Sequence, residues 1–101
     1  MSWATAYIKA LSKGETVTMT PQGKSMEPIV MDGQEVTVAP VDDPRTLEVG
    51  EVVLCTVRGT DYLHKILAKD RRGVKLSIGN NKGGVNGWID PVYVHGKMVK
   101  T

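Results

Sequence analysis

Ser25 stands in Gly23-Lys24-Ser25-Met26-Glu27-Pro28, the stretch of this chain whose residue types come nearest to chemistry. Glycine and proline flank it and break both helical and strand periodicity, so Ser25 sits in an irregular turn. A serine so placed is either a turn residue or a nucleophile, and a nucleophilic serine needs a base to take its proton. The chain offers two histidines, His64 and His95, and a scatter of lysines. A neutral imidazole, with a pKa of ~6.5, serves as a base at neutral pH without the desolvation that a lysine requires. His64 lies in Tyr62-Leu63-His64-Lys65-Ile66-Leu67. On a strand, period two puts Tyr62, His64 and Ile66 on one face and Leu63, Lys65 and Leu67 on the other. His95 follows Val92-Tyr93-Val94. Taken alone, each histidine reads first as a satisfied structural or surface residue.

Other chemistries find less support. Two histidines and the single Cys55 lack metal-ligand spacing, so no metal site and no cofactor are expected. Gly79 to Trp88, "GNNKGGVNGW", is rich in residues that tolerate positive φ, which indicates a tightly folded loop. It is either a structural loop pinned on the core by Trp88 or a loop lending N–H groups and asparagine amides to a site. It has no Gly-Lys-Ser/Thr ending and leads into no helix, so it is not a phosphate loop. Asp42 and Asp43 belong to a surface connection.

The elements that must position these residues follow from pattern. The chain has 101 residues, which indicates one domain. Trp3 to Lys13 predicts a helix with Trp3, Tyr7, Ala10 and Leu11 on one stripe, Ser2 as cap and Gly14 as stop. Residues 16–101 form a β-rich body. Strands are expected over Thr16–Thr20, Glu35–Ala39, Glu51–Arg58, Tyr62–Ala68, Val74–Ile78 and Val92–Val99. Gly59-Thr60-Asp61 is a hairpin turn, and Arg71-Arg72-Gly73 is another. The unbroken apolar centre of the third strand implies burial on both faces, with Cys55 a buried structural thiol.

The formal charge is +2, which gives no footprint for nucleic acid or an anionic membrane. Lys69, Arg71 and Arg72 read as a solvated tip. No run approaches the about 18 apolar residues of a spanning helix. The expectation is a soluble, cytoplasmic protein without a membrane anchor.

"GKSMEPIVMDGQEVTV" resembles the first box of the S24/S26 serine-peptidase superfamily, the signal peptidases and LexA-like proteins. Gly23, Ser25, Met26, Glu27, Pro28 and Gly33 carry that likeness. "EVGEVVLC" resembles the second box, "YLHKIL" the third and "IGNNKGG" the last, in the family's order. The resemblance implies a mainly β fold, a small barrel or folded sheet with one short N-terminal helix. It implies Ser25 as nucleophile and His64 as base, as in the archaeal and endoplasmic-reticulum type. Lys65 is a poorer base because its side chain points to the other face. The Ser25 N–H would serve as an oxyanion donor within the Gly23-Ser25-Met26 turn. Met26 would be a buried anchor and Pro28 a rigid exit. Asn80, Asn81, Asn86 and Asp90 would support the loop or orient the histidine.

The chain departs from the family where Gly-Asp pairs become Gly33-Gln34, Gly50-Glu51 and Gly79-Asn80. Behind the histidine it offers Asn86, then Asp90. An asparagine orients an imidazole but adds no charge to stabilise imidazolium. No Ala-Gly bond precedes Ser25, so cleavage in cis is not expected. Two functions compete: a peptidase acting in trans with a preference for small residues beside the scissile bond, or a catalytically inactive module that binds a peptide or protein partner.

Overall fold

The computed structural model of the chain describes residues 3–72 and 74–100. The expected cap Ser2 and the turn residue Gly73 lie outside the described residues. The chain folds as one short helix on a seven-stranded antiparallel sheet. The helix α1 spans Thr5–Ser12. The strands are β1 (Val17–Met19), β2 (Val36–Ala39), β3 (Val52–Val57), β4 (Thr60–Lys69), β5 (Leu76–Gly79), β6 (Val85–Ile89) and β7 (Val94–Lys100). Two single 3-10 turns, Pro44–Thr46 and Pro91–Tyr93, interrupt the connections. The strand order is β1-β2-β7-β3-β4-β5-β6. The last strand therefore joins the first two to the rest.

Gly14, the expected stop, ends α1. Its φ is +85°, its N–H donates to the Leu11 carbonyl at 3.0 Å, and the Glu15 N–H donates to the Ala10 carbonyl at 3.1 Å. This is the paired closure in which a left-handed glycine satisfies the last carbonyls of a helix. Leu11 and the preceding Ala4 are buried and dock the helix, but Trp3 is 52 % exposed and stands off the core stripe.

β3 lies at the centre, and its side chains alternate between two apolar clusters. Val52 and Leu54 join Ala4, Leu11, Met26, Val30, Val36, Val38 and Leu63. Val53, Cys55 and Val57 join Leu47, Ile66, Leu76, Ile78, Ile89 and Val94. Both faces are buried, as the unbroken apolar run requires. Each fully buried aliphatic side chain stabilises the fold by ~1.5–3 kcal/mol. Burial pushes the Cys55 thiol up to about 12, so it stays protonated and inert.

The β3–β4 hairpin turns on Arg58 and Gly59, at φ +51° and +83°, with Val57 opposite Thr60. Two consecutive positive φ values match the twist of the flanking strands. The turn thus falls one residue earlier than Gly59-Thr60-Asp61, and β4 begins at Thr60. β6 was not expected. It forms inside the glycine-asparagine loop because pairing with β5 overrides poor strand propensity. On β6, Ile89 turns inward and is 6 % exposed while Trp88 is 54 % exposed. Ile89, not Trp88, pins this segment. At the end of β5, a Cβ at Gly79 would collide with the Gly84 carbonyl and the Leu67 side chain. Only glycine lets the loop 80–84 fold back against the strand there.

Candidate active site

Ser25 is held in a loop of consecutive turns that is cross-tied at both ends. Gly23, at φ +100°, donates its N–H to Asp32 Oδ1 at 2.7 Å. Gly33 donates to the Pro21 carbonyl at 3.0 Å, and Val30 to the Met26 carbonyl at 2.9 Å. Met26 and Val30 are buried in the helix-side cluster and pin the loop from below. Met26 is thus the anchor expected of it, while Pro28 is exposed.

His64 enters from β4, a strand locked on β3 by the pairing of Val53 with His64. Ser25 Oγ lies 3.2 Å from His64 Nε2. The other ring nitrogen, Nδ1, lies 2.6 Å from Asn86 Oδ1 on β6. An amide oxygen can only accept, so Nδ1 carries the ring proton. Nε2 is then the acceptor, and the Ser25 hydroxyl donates to it. Burial lowers the His64 pKa below 6.5, with the Asn86 hydrogen bond acting the other way. The ring is neutral at neutral pH and oriented to receive a proton from Ser25. Tyr62 stacks on it, with 4.8 Å between ring centroids and 27° between the planes.

Asn81 joins the loop to the strand. Its N–H donates to the Ser25 carbonyl at 2.7 Å, and its Nδ2 donates to the Glu27 carbonyl at 2.9 Å. Its Oδ1 accepts from Lys65 Nζ at 2.6 Å. Lys65 therefore braces the serine loop through Asn81 and makes no hydrogen bond to Ser25 itself. Asn80 closes its own loop, its Oδ1 accepting from the Lys82 and Gly84 N–H groups at 2.8 Å each. Asp90 is placed elsewhere: its Oδ1 accepts from the Val92 N–H at 3.2 Å and caps the second 3-10 turn. Asn86 alone stands behind His64. The Ser25 and Met26 N–H groups have no acceptor among the described residues. The Gly23 N–H is held by Asp32 and is not free to serve as a donor.

Ser25 and His64 open onto a cleft of ≈ 540 Å³. Its walls include Trp3 and Tyr7 from the helix end, residues absent from the expected site. The period-two placement of Tyr62 beside His64 was the one readable sign of the ring stack. Nothing in the sequence pattern assigned Trp3 to the cleft rather than to the core stripe.

A second imidazole–hydroxyl pair is built from β3, β4 and β7, and its Asp61 lines the same cleft. His95 Nε2 is 2.8 Å from Thr56 Oγ1, and Thr56 Oγ1 donates to Asp61 Oδ1 at 2.6 Å. Among the described residues no group of three His, Cys, Asp or Glu side chains could hold a metal ion. No helix among them is long and apolar enough to cross a membrane. The exposed Arg71 and Arg72 sit at the β4–β5 tip, where Arg72 interacts with the neighbouring Asp70 carboxylate. Neither a protein-family model nor a curated protein matches the chain.

Proposed function

We propose that the chain is a serine peptidase that cleaves a peptide bond in trans through a Ser25–His64 dyad oriented by Asn86. The observation that carries this reading is the aligned row Asn86 Oδ1, His64 Nδ1 and Nε2, Ser25 Oγ, with spacings of 2.6 and 3.2 Å. It is the arrangement of a nucleophile, its base and the group that sets the tautomer. It agrees with the S24/S26 resemblance of the four sequence boxes.

Ser25 Oγ attacks the carbonyl carbon, and its proton passes to His64 Nε2. The carbonyl oxygen becomes an oxyanion, and the N–H groups of Ser25 and Met26, which have no acceptor among the described residues, are the backbone donors we assign to it. The tetrahedral adduct collapses, the C–N bond breaks, and His64 returns the proton to the leaving amine. Water, deprotonated by the same ring, then hydrolyses the Ser25 ester.

One observation favours the alternative of a peptide- or protein-binding module. The residue behind His64 is an amide, which orients the ring without a charge to stabilise imidazolium. A fluorophosphonate probe discriminates the two. The peptidase labels at Ser25 in wild type and not in Ser25→Ala or His64→Ala. Absence of labelling together with absence of cleavage of a randomised peptide pool would leave the binding module.

A further inference from the structure

The S24/S26 resemblance implies small residues beside the scissile bond, but the cleft around Ser25 has room and lining for larger ones. At ≈ 540 Å³ it falls within the ~300–1,000 Å³ range of ligand pockets. Trp3, Tyr7, Met19, Met26, Val30 and Leu63 give it an apolar wall. Besides the neutral His64, Asp61 is the one charged side chain among the described lining residues.

Trp3 is the telling member. It is 52 % exposed at the end of a helix that is docked by buried Ala4 and Leu11. Its indole is therefore not what holds the helix in place. It sits 6.4 Å from the Tyr7 ring at an angle of 60°, a tilted pairing. The two rings stand over a floor that includes the buried Met19 and Met26, and together they line the cleft onto which Ser25 opens. An alanine methyl would leave most of that surface without contact, and a void without partner atoms gains no dispersion energy.

We propose that the cleft selects a peptide segment bearing a bulky apolar side chain, aromatic or long aliphatic, next to the carbonyl presented to Ser25. Trp3 and Tyr7 are the specificity-determining residues that contact it. The inference rests on the peptidase reading for the carbonyl at Ser25, while the selection itself is a binding property.

The test uses one probe, a pool of end-blocked, randomised ten-residue peptides. Immobilised Ser25→Ala protein is used to capture peptides, and wild type is used to cut them, with both outputs sequenced by mass spectrometry. Captured peptides should be enriched in Phe, Tyr, Trp, Leu or Met at one position, and Trp3→Ala should reduce that enrichment about 10-fold. Trp3→Phe keeps an aromatic face and should preserve it, which separates loss of the wall from loss of the fold. Because the chain has two tryptophans, Trp88→Phe leaves Trp3 as sole reporter, and its emission should shift to the blue on binding. Capture of bulky residues without cleavage would sustain this inference and overturn the peptidase reading. Cleavage beside Ala, Ser or Gly, unchanged in Trp3→Ala, would do the reverse. A pool neither captured nor cut overturns the inference.

Discussion

His64 and His95 look alike in outline and differ in the one respect that decides chemistry. Both sit on strands, both have pKa values lowered chiefly by burial, and both place Nε2 near a hydroxyl. Behind His64, Asn86 holds the proton on Nδ1, so Nε2 accepts and Ser25 donates. At His95 the order is reversed. The Asp61 carboxylate accepts the hydrogen bond of the Thr56 hydroxyl, so the Thr56 oxygen in turn accepts from His95 Nε2–H. A hydroxyl that already donates to a carboxylate, facing an imidazole that is itself a donor, has no base to receive its proton from that ring. Proximity of hydroxyl and imidazole is therefore not the signature of a nucleophile. The direction of the proton is, and it is set by the third residue.

The comparison breaks most sharply at Ser25. Ser25→Ala should lower cleavage of a substrate found in the peptide pool by about 10³-fold or more, measured as kcat/KM. Residual activity within a few-fold of wild type would remove Ser25 from the chemistry.

The next largest effect belongs to Asn86. Asn86→Leu frees the ring to take the other tautomer, and kcat should fall on the order of 10²-fold with KM little changed. Asn86→Asp keeps the acceptor and adds charge, which raises the His64 pKa. Its pH profile should keep its plateau while the acid limb moves to higher pH. If both variants behave alike, Asn86 is a packing residue.

pH itself sharpens the contrast. On the proposed mechanism activity needs neutral His64, whose pKa burial holds below 6.5. The acid limb of kcat/KM should fall below that value and vanish in His64→Ala. Stability follows the same sign. The unfolded histidines bind protons near pH 6.5 that buried His64 and His95 resist. Stability is then full above 6.5 and declines as pH falls beneath it. A denaturant midpoint that rose on acidification from pH 7 to 5 would contradict this.

Thr56→Val should give the smallest functional effect, less than about 2-fold in kcat/KM, while lowering stability by ~1–3 kcal/mol because Asp61 and His95 lose their shared partner. A loss of activity comparable to Ser25→Ala would mean that the two sites had been assigned in the wrong order.

Much of this arrangement could be read from residue order. Alternation placed His64 and Tyr62 on one face, Gly14 stopped the helix, and the apolar run of β3 called for burial on both sides. The choice between Asn86 and Asp90 could not be read, because it depends on β6. That strand exists only through its pairing with β5, and Val85-Asn86-Gly87 has little strand propensity of its own. Once β6 forms, Asn86 faces His64 and Asp90 is carried past it to cap a turn. Trp3 was misassigned for a related reason. Helical spacing groups it with Leu11, but it lies one residue before the N-cap, where the stripe no longer points at the core.

The place of β7 in the sheet also has a consequence during synthesis. The segment that carries Ser25 emerges early, yet β1 and β2 are joined to the sheet through β7, the last strand made. His64 and Asn86 also lie on later strands, β4 and β6. At ~5–20 residues per second, several seconds pass between the appearance of the serine and the strand that seats it. Throughout that interval Ser25 has not yet been brought against His64, and the pair exists only once the late strands are in place.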